Sequence, residues 1–196
     1  MQNRKEHHNA ALALIVLAAL ALACGALKGI GDQTDEANKL VQTTNKDLEA
    51  IDRIINENKD KELQLTRALN ADDIEGAKRI LDDSIKAIDS GLEYGQSAAD
   101  SSERASMMKI DEKFKDYLSL KSQAIRKRVD AFKSLRDAAV ILRNNLGSTD
   151  AEASRKARED YLAALNNYKT LVADAKTLDR EADDIARRNP GKIRPY

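Results

Sequence analysis

Few residues of this 196-residue chain are of types that carry out chemistry. The single cysteine, Cys24, directly follows an apolar run over residues 10–23, and the only histidines, His7 and His8, precede that run. The rest of the chain therefore lacks the commonest general base and the histidine ligands of most haem and di-iron helical bundles. It also has no glycine-rich phosphate loop, no Cys-x-x-Cys pair and no Gly-x-Ser-x-Gly motif. We expect no enzyme activity, no cofactor and no metal site.

The segment around Cys24 has the layout of a secretory signal, because Arg4 and Lys5 precede an apolar run of 14 residues. Such a run is shorter than the roughly 20 residues of a membrane-spanning helix. The stretch Leu20-Ala21-Leu22-Ala23-Cys24, followed by Gly25, resembles the lipobox of bacterial lipoproteins, with alanine at position 21 where leucine is usual. The resemblance implies cleavage before Cys24 and conversion of its thiol to a diacylglyceryl thioether.

Two other interpretations of this segment stay open. The apolar run extends past Cys24 and Gly25 to Leu27, and these 18 residues are marginally long enough to span a bilayer as an uncleaved anchor. Alternatively, Ala21-Leu22-Ala23 is an ordinary signal cleavage site and the product is soluble. All three interpretations place the bulk of the chain outside the cytoplasm, because basic residues precede the run and mostly acidic residues follow it.

Composition predicts long helices after the anchor. Charged residues make up 34% of the chain and aromatic residues 4%, and the only prolines are Pro190 and Pro195. We divide the chain into a signal peptide or membrane anchor (1–23), a glycine-containing tether (24–31), a helical bundle (32–189) and a C-terminal tail (190–196). The 33 basic and 33 acidic residues balance, which argues against a general nucleic-acid-binding protein.

Apolar residues recur at alternating three- and four-residue steps through the bundle region, the pattern of helices packed as in a coiled coil. The turn signals lie near Asn70, between Ser101 and Ile110, and near Gly147. They define four segments of similar length joined by short turns. The sequence therefore predicts an all-α fold, an antiparallel up-down-up-down four-helix bundle of long helices.

Local signals refine this prediction. Thr149-Asp150-Ala151-Glu152 has the form of a capping box that begins the last helix. Asn58 and Glu62 interrupt the apolar seam of the first segment. Such polar residues either set the register of the helices or mark a local loosening, and we expect the loosening. The inward positions of that segment include Ile51 and Ile55. The second half of the second segment is rich in glycine, alanine and serine, which allows a neighbouring helix to approach closely but makes it the softest part of the predicted bundle.

Charge predicts which helices pair. Residues 72–105 hold 4 basic and 9 acidic side chains, whereas residues 109–146 hold 10 basic and 5 acidic ones. We expect these neighbouring segments to form ion pairs along their flanks. The cluster Arg126-Lys127-Arg128 is interpreted as an inter-helix or solvated face, with docking of an acidic partner as the alternative. Tyr161 and Tyr168 share a face, which favours core packing over a ligand-stacking pair.

An even number of antiparallel helices returns the chain to the end where it began. The turns near Asn70 and Gly147 are then expected at the tip far from the anchor, and the tail, with Lys192 and Arg194, near the bilayer. The function expected from these features is that of a membrane-anchored extracytoplasmic lipoprotein, facing the periplasm or cell exterior, with a non-catalytic structural, binding or envelope-interaction role and a protein partner. The alternatives are a ligand-sensing four-helix module that acts through a partner, and an enzyme with a carboxylate-only site.

Overall fold

The computed structural model describes residues 32–190 and Ile193, and these residues contain five helices. They are α1 (Thr34–Asn58), α2 (Lys61–Asn70), α3 (Ile74–Ser106), α4 (Glu112–Asn145) and α5 (Ala151–Arg188). Since α1 and α2 together form the first predicted segment, the described part of the chain is an all-helical four-helix bundle, as the sequence predicts. Cys24 and its flanking anchor and tether, as well as Lys192 and Arg194, lie outside the described residues.

The helices pack mainly in chain order. Both α1 and α2 lie against α3, α3 lies against α4, and α4 lies against α5. Among the described residues, α1 and α5 are not an extensively packed pair. The side of the bundle between α1 and α5 is therefore much less closed than the other three sides.

One end of the bundle brings together the start of α1, the α3–α4 turn and the C-terminus. The Gln33 backbone N–H donates to the Lys109 carbonyl oxygen at 2.9 Å, and the Lys109 N–H donates to Gln33 Oε1 at 2.9 Å. Ile193, which the sequence assigns to the tail, is 1% exposed and packs in a core cluster with Ala37 and Phe114. The prediction that the last helix finishes at the end of the bundle where the first helix begins is confirmed.

The other end is formed by the α2–α3 and α4–α5 turns. A Cβ built on Gly147 would lie 3.4 Å from Ile74 Cγ2, so the two turns touch. Gly147 has a φ of +77°, the left-handed conformation that follows many helix ends, as expected from its position. The two ends of the bundle are thus separated by the length of α3, whose 33 residues span about 50 Å.

Aspartates cap the N-termini of three of the helices through side-chain hydrogen bonds. Asp73 accepts a hydrogen bond from the Gly76 N–H, and Asp111 accepts one from the Lys113 N–H. At α5 the capping residue is Asp150, which accepts from the N–H groups of both Glu152 and Ala153. The predicted capping box, with Thr149 as the capping residue, is wrong by one position. The capping residue is Asp150, because its carboxylate satisfies two of the N–H groups that lack a partner within the helix.

The first segment is interrupted at Lys59 and Asp60, between α1 and α2. The side-chain amide of Asn58 donates to the Ile54 carbonyl oxygen at 2.8 Å in the last turn of α1. No fully buried side chain is present in α2, so packing there does little to hold a continuous helix. The predicted loosening between Asn58 and Glu62 is confirmed as a helix break.

The small residues of α3 lie at the centre of the bundle. A Cβ on Gly95 would approach Val129 Cγ2 to 2.8 Å, which shows how closely α4 crosses this face. Buried hydroxyl groups bridge the helices to main-chain carbonyl oxygens, and the three donor–acceptor pairs are Thr44 to Ala98 at 3.3 Å, Ser102 to Leu118 at 3.1 Å and Ser122 to Ala99 at 3.2 Å. The predicted close approach of a neighbouring helix is confirmed.

Candidate functional site

The candidate site is an apolar groove between α1, α3 and α4. It consists of two adjoining cavities of about 200 and 300 Å³, which share Ile51, Ile55 and Phe132 in their walls. The side chains lining the groove are mostly aliphatic, with Leu48, Ile54, Ile88, Ile125, Val129 and Leu135 completing its apolar walls. Such an apolar concavity with a few polar groups at its margins is the usual form of a ligand site.

The groove exists because the apolar seams of α1 and α4 are not fully covered. Ile55 lies on the predicted inward face of the first segment, but half of its surface (50%) is exposed. Ile51, one turn earlier, is 8% exposed. Leu135, also predicted to face inward, is only half-buried and lines the groove. The less closed side of the bundle thus leaves apolar surface open near the helix break.

The floor of the groove is set by two glycines of α3, which behave differently. A Cβ on Gly91 would meet no heavy atom within 4 Å, so Gly91 opens onto free space in the groove. A Cβ on Gly95 would collide with Val129. Gly91 therefore leaves room in the groove, whereas Gly95 permits the close crossing of α4.

Polar groups stand at the two ends of the groove. Near the helix break, Lys61 Nζ lies 2.9 Å from Asp83 Oδ2, with Asn58 and Ser84 beside it in the wall. The hydrogen bond and charge of Lys61 lower the pKa of Asp83, and the charge of Lys86 acts in the same direction. Lys61 is the only charged side chain in the wall at this end.

The other end of the groove is lined by Asp52 and Arg128. The Arg128 guanidinium pairs with Asp179 of α5, which also accepts from Lys121 Nζ at 3.3 Å. Lys121 in turn lies 3.0 Å from Asp183. The positive charges at this end are thus matched by carboxylates.

Outside the groove, opposite charges join α3 and α4 along their length, as predicted. Arg136 Nε lies 2.5 Å from Asp89 Oδ1, and Arg143 Nε lies 2.9 Å from Asp82 Oδ1. The hydrogen bond that each arginine donates to its aspartate raises the pKa of the guanidinium. Because these pairs are exposed, they favour one helix arrangement more than they add stability.

The side chains of the cluster Arg126-Lys127-Arg128 form ion pairs with two neighbouring helices, α3 and α5. Arg126 pairs with Asp100 at 3.2 Å and Glu103 at 2.5 Å on α3, whereas Lys127 and Arg128 pair with acids of α5. The interpretation of this cluster as an inter-helix face is confirmed. All three side chains have acidic partners within the bundle.

The predicted tyrosine pair is spread along α5. Tyr161 and Tyr168 are both half-buried, and Tyr161 lines a separate cavity of about 210 Å³ between α4 and α5 with Ile141 and Leu142. The ring pair found in the described part of the chain is instead Phe114 and Tyr117, whose centroids are 6.4 Å apart near the end that holds Ile193. Lys121 Nζ lies 5.7 Å from the centre of the Tyr117 ring.

Sequence reasoning missed the groove as a site. The available signals were the adjacent Ile54 and Ile55, the polar residues that follow them and Gly91 on the facing helix. The candidate lipidation residue, Cys24, lies outside the described residues. Over residues 32–190, no cluster of three or more potential metal-ligating side chains occurs, and no helix in that range is long and apolar enough to cross a bilayer.

Comparison with known proteins adds no relative. The chain matches no protein-family model, and neither a curated protein nor a solved structure is detectably similar to it.

Proposed function

We propose that this protein is a membrane-anchored extracytoplasmic helical lipoprotein with a non-catalytic structural, binding or envelope-interaction role. The observation that carries the proposal is the position of the sole cysteine, Cys24, at the end of a 14-residue apolar run that follows Arg4 and Lys5. A lipid-modified cysteine at this point holds the domain to a membrane surface through the tether of residues 24–31.

The arrangement of the helix ends supports this orientation. Gln33, which follows the tether closely, is hydrogen-bonded to Lys109 of the α3–α4 turn, and Ile193 packs at the same end. An anchor attached there faces this end of the bundle. The turns around Asn70 and Gly147 are then the part of the bundle farthest from the bilayer, where a protein partner across the envelope first meets it.

The absence of a catalytic role rests on side-chain chemistry. The sequence after His8 has no histidine, and the exposed carboxylates of α3 and α5 are largely engaged in ion pairs with arginine and lysine. A carboxylate whose oxygen atoms are engaged by arginine or lysine is not placed to exchange a proton with a substrate.

Metabolic labelling with an alkynyl fatty acid, followed by mass spectrometry of the membrane fraction, tests the proposal. We expect the label on Cys24 and a mature chain that begins there, whereas Cys24→Ser gives an unlabelled chain. Gly25→Ala is the control and keeps the label. An intact Met1 terminus with an unmodified Cys24 thiol supports the signal-anchor alternative and contradicts lipidation. An unmodified chain released from the membrane supports ordinary secretion.

A ligand-sensing module is the second candidate function, and the apolar groove at Ile51, Ile55 and Phe132 favours it. Under this alternative, occupancy of the groove changes the contacts of the distal turns with a partner. Partner capture that changes when the groove is filled distinguishes sensing from a purely structural role.

A further inference from the structure

We propose that the groove between α1, α3 and α4 binds one single-chain amphiphile with an anionic head group, a free long-chain carboxylate. The apolar chain lies over Gly91 between Ile51, Ile55 and Phe132, and the carboxylate lies at Lys61. This inference goes beyond the proposed function and does not depend on lipidation of Cys24.

The shape of the groove selects a narrow, linear occupant. The larger of the two adjoining cavities, about 300 Å³, holds about ten groups of methylene or water size at roughly 30 Å³ each. Three turns of an α-helix occupy on the order of 1,000 Å³, given a diameter of about 10 Å. A partner helix is therefore too large to fit within this groove, whereas a single alkyl chain of about ten carbons fits its volume.

The floor of the groove supports the same conclusion. Gly91 is buried, yet a Cβ at this position would meet nothing within 4 Å. Space of this kind in a bundle is apolar and poorly suited to ordered water, because few polar groups line it. An alkyl chain fills this space without leaving a polar group unsatisfied.

The charged side chains at the two ends of the groove determine where the head group lies. Lys61, which pairs with Asp83 at 2.9 Å, is the only charged side chain that lines the cavity at the helix break. The other cavity is lined by two side chains of opposite charge, Asp52 and Arg128, and Arg128 is also paired with Asp179. An anionic head group is therefore favoured at the Lys61 end and a cationic one is not.

Photo-cross-linking of the full chain in phosphatidylcholine bilayers tests the proposal. The probe is dodecanoate with a terminal diazirine, the matched cationic probe is the corresponding dodecylamine, and tryptic mass spectrometry locates the adducts. We expect the carboxylate probe to label the groove walls around Ile55 and Phe132. Label spread evenly over the exposed helix faces, or confined to residues 1–23, overturns the proposal.

Two substitutions with matched controls sharpen the test. Gly91→Leu places a side chain in the groove and should reduce labelling about tenfold, whereas Ser90→Leu adds the same side chain at an exposed position and should not. Lys61→Gln should reduce labelling by the carboxylate probe about tenfold, without affecting the amine probe, because a charge-assisted hydrogen bond is lost. Lys59→Gln is its control.

The other possible outcomes are also decisive. If Gly91→Leu proves unfolded by circular dichroism, the Lys61→Gln comparison decides alone, and equal labelling of that variant and wild type overturns the proposal. Equal labelling by the two probes overturns the assignment of an anionic head group. A benzophenone side chain at Ile55 that cross-links a second copy of the chain shows that the groove is a protein interface instead.

Discussion

At the scale of single residues, two glycines of α3, Gly91 and Gly95, have different surroundings. Both are buried on the same helix, four residues apart, but only Gly95 is held against a neighbouring side chain. A glycine in a helix interior lowers the stability of the folded protein by roughly 0.5–1 kcal/mol relative to alanine, unless its surroundings leave no room for a Cβ. Gly95 is required by the crossing of α4, and Gly91 is not.

Gly91→Ala should therefore stabilise the protein by about 0.5–1 kcal/mol, because it removes the helix penalty and its methyl group enters open space. Gly95→Ala should be neutral or destabilising, since its methyl group would lie 2.8 Å from Val129 Cγ2. Thermal unfolding of both variants, followed by circular dichroism, checks this. A Gly95→Ala variant that is stabilised as much as Gly91→Ala would show that α3 and α4 are farther apart than described.

The ion pair of Lys61 and Asp83 predicts a pH dependence. Its hydrogen bond and charge lower the pKa of Asp83 in the folded state, so the pair contributes stability above the usual aspartate pKa of about 3.9. That contribution is lost as the pH falls through the lowered folded-state pKa. The melting temperature of Asp83→Asn should accordingly lie below that of wild type at pH 6 and converge with it by about pH 2.

The control for this experiment is Asp60→Asn, an exposed neighbour outside the ion pair. Its melting temperature should differ from that of wild type by a similar amount at both pH values. A gap between Asp83→Asn and wild type that persists to the lowest pH would mean that the pair is not the source of the effect.

At the scale of elements, the bundle is most tightly packed at the end that holds Phe114, Leu118 and Ile193. Leu118 is completely buried there, and its carbonyl oxygen also accepts the Ser102 hydroxyl. Leu162 of α5 is 48% exposed and offers the opposite environment for the same side chain.

Leu118→Ala should cost about 2–5 kcal/mol of unfolding free energy, because the cavity it leaves in the helix crossing cannot collapse freely. Leu162→Ala, the matched control, should change it by no more than about 0.5 kcal/mol. Chemical denaturation of the two variants provides the measurement. Similar losses for both would indicate that α5 packs on a face other than the one described.

Periodicity predicted these elements well, for a physical reason. Helical spacing identifies the apolar face of each segment, and turn chemistry at Asp73, Gly147 and Asn189 marks where each segment starts or stops. Spacing does not say which pair of helices will remain apart. Ile51 and Ile55 occupy equivalent positions in the pattern, yet only the second is exposed, because the open side and the helix break at Lys59 lie beyond it. The groove therefore could not be predicted from the sequence.

At the scale of the whole molecule, the start of α1 and the end of α5 lie at one end of a rod about 50 Å long. Spin labels at Asp32 and Arg188 should give a short distance, and labels at Asp32 and Ser148 one of roughly 50 Å, by helix rise. Pulsed electron paramagnetic resonance measures both. A short Asp32–Ser148 distance would mean that the bundle folds back on itself and that the Gly147 turn does not lie far from the start of α1.

The burial of Ile193 has a practical consequence for attaching reporters to this protein. Because Ile193 is packed between the helices, a fluorescent protein fused directly to Tyr196 is attached three residues from that packing, at the end where the proposed anchor is expected. An insertion between Gly147 and Ser148, both exposed, leaves Ile193 in place and puts the reporter at the opposite end of the rod. Paired fusions of this kind would test the proposed anchoring, because only the reporter inserted at Ser148 should then stand away from a bilayer surface.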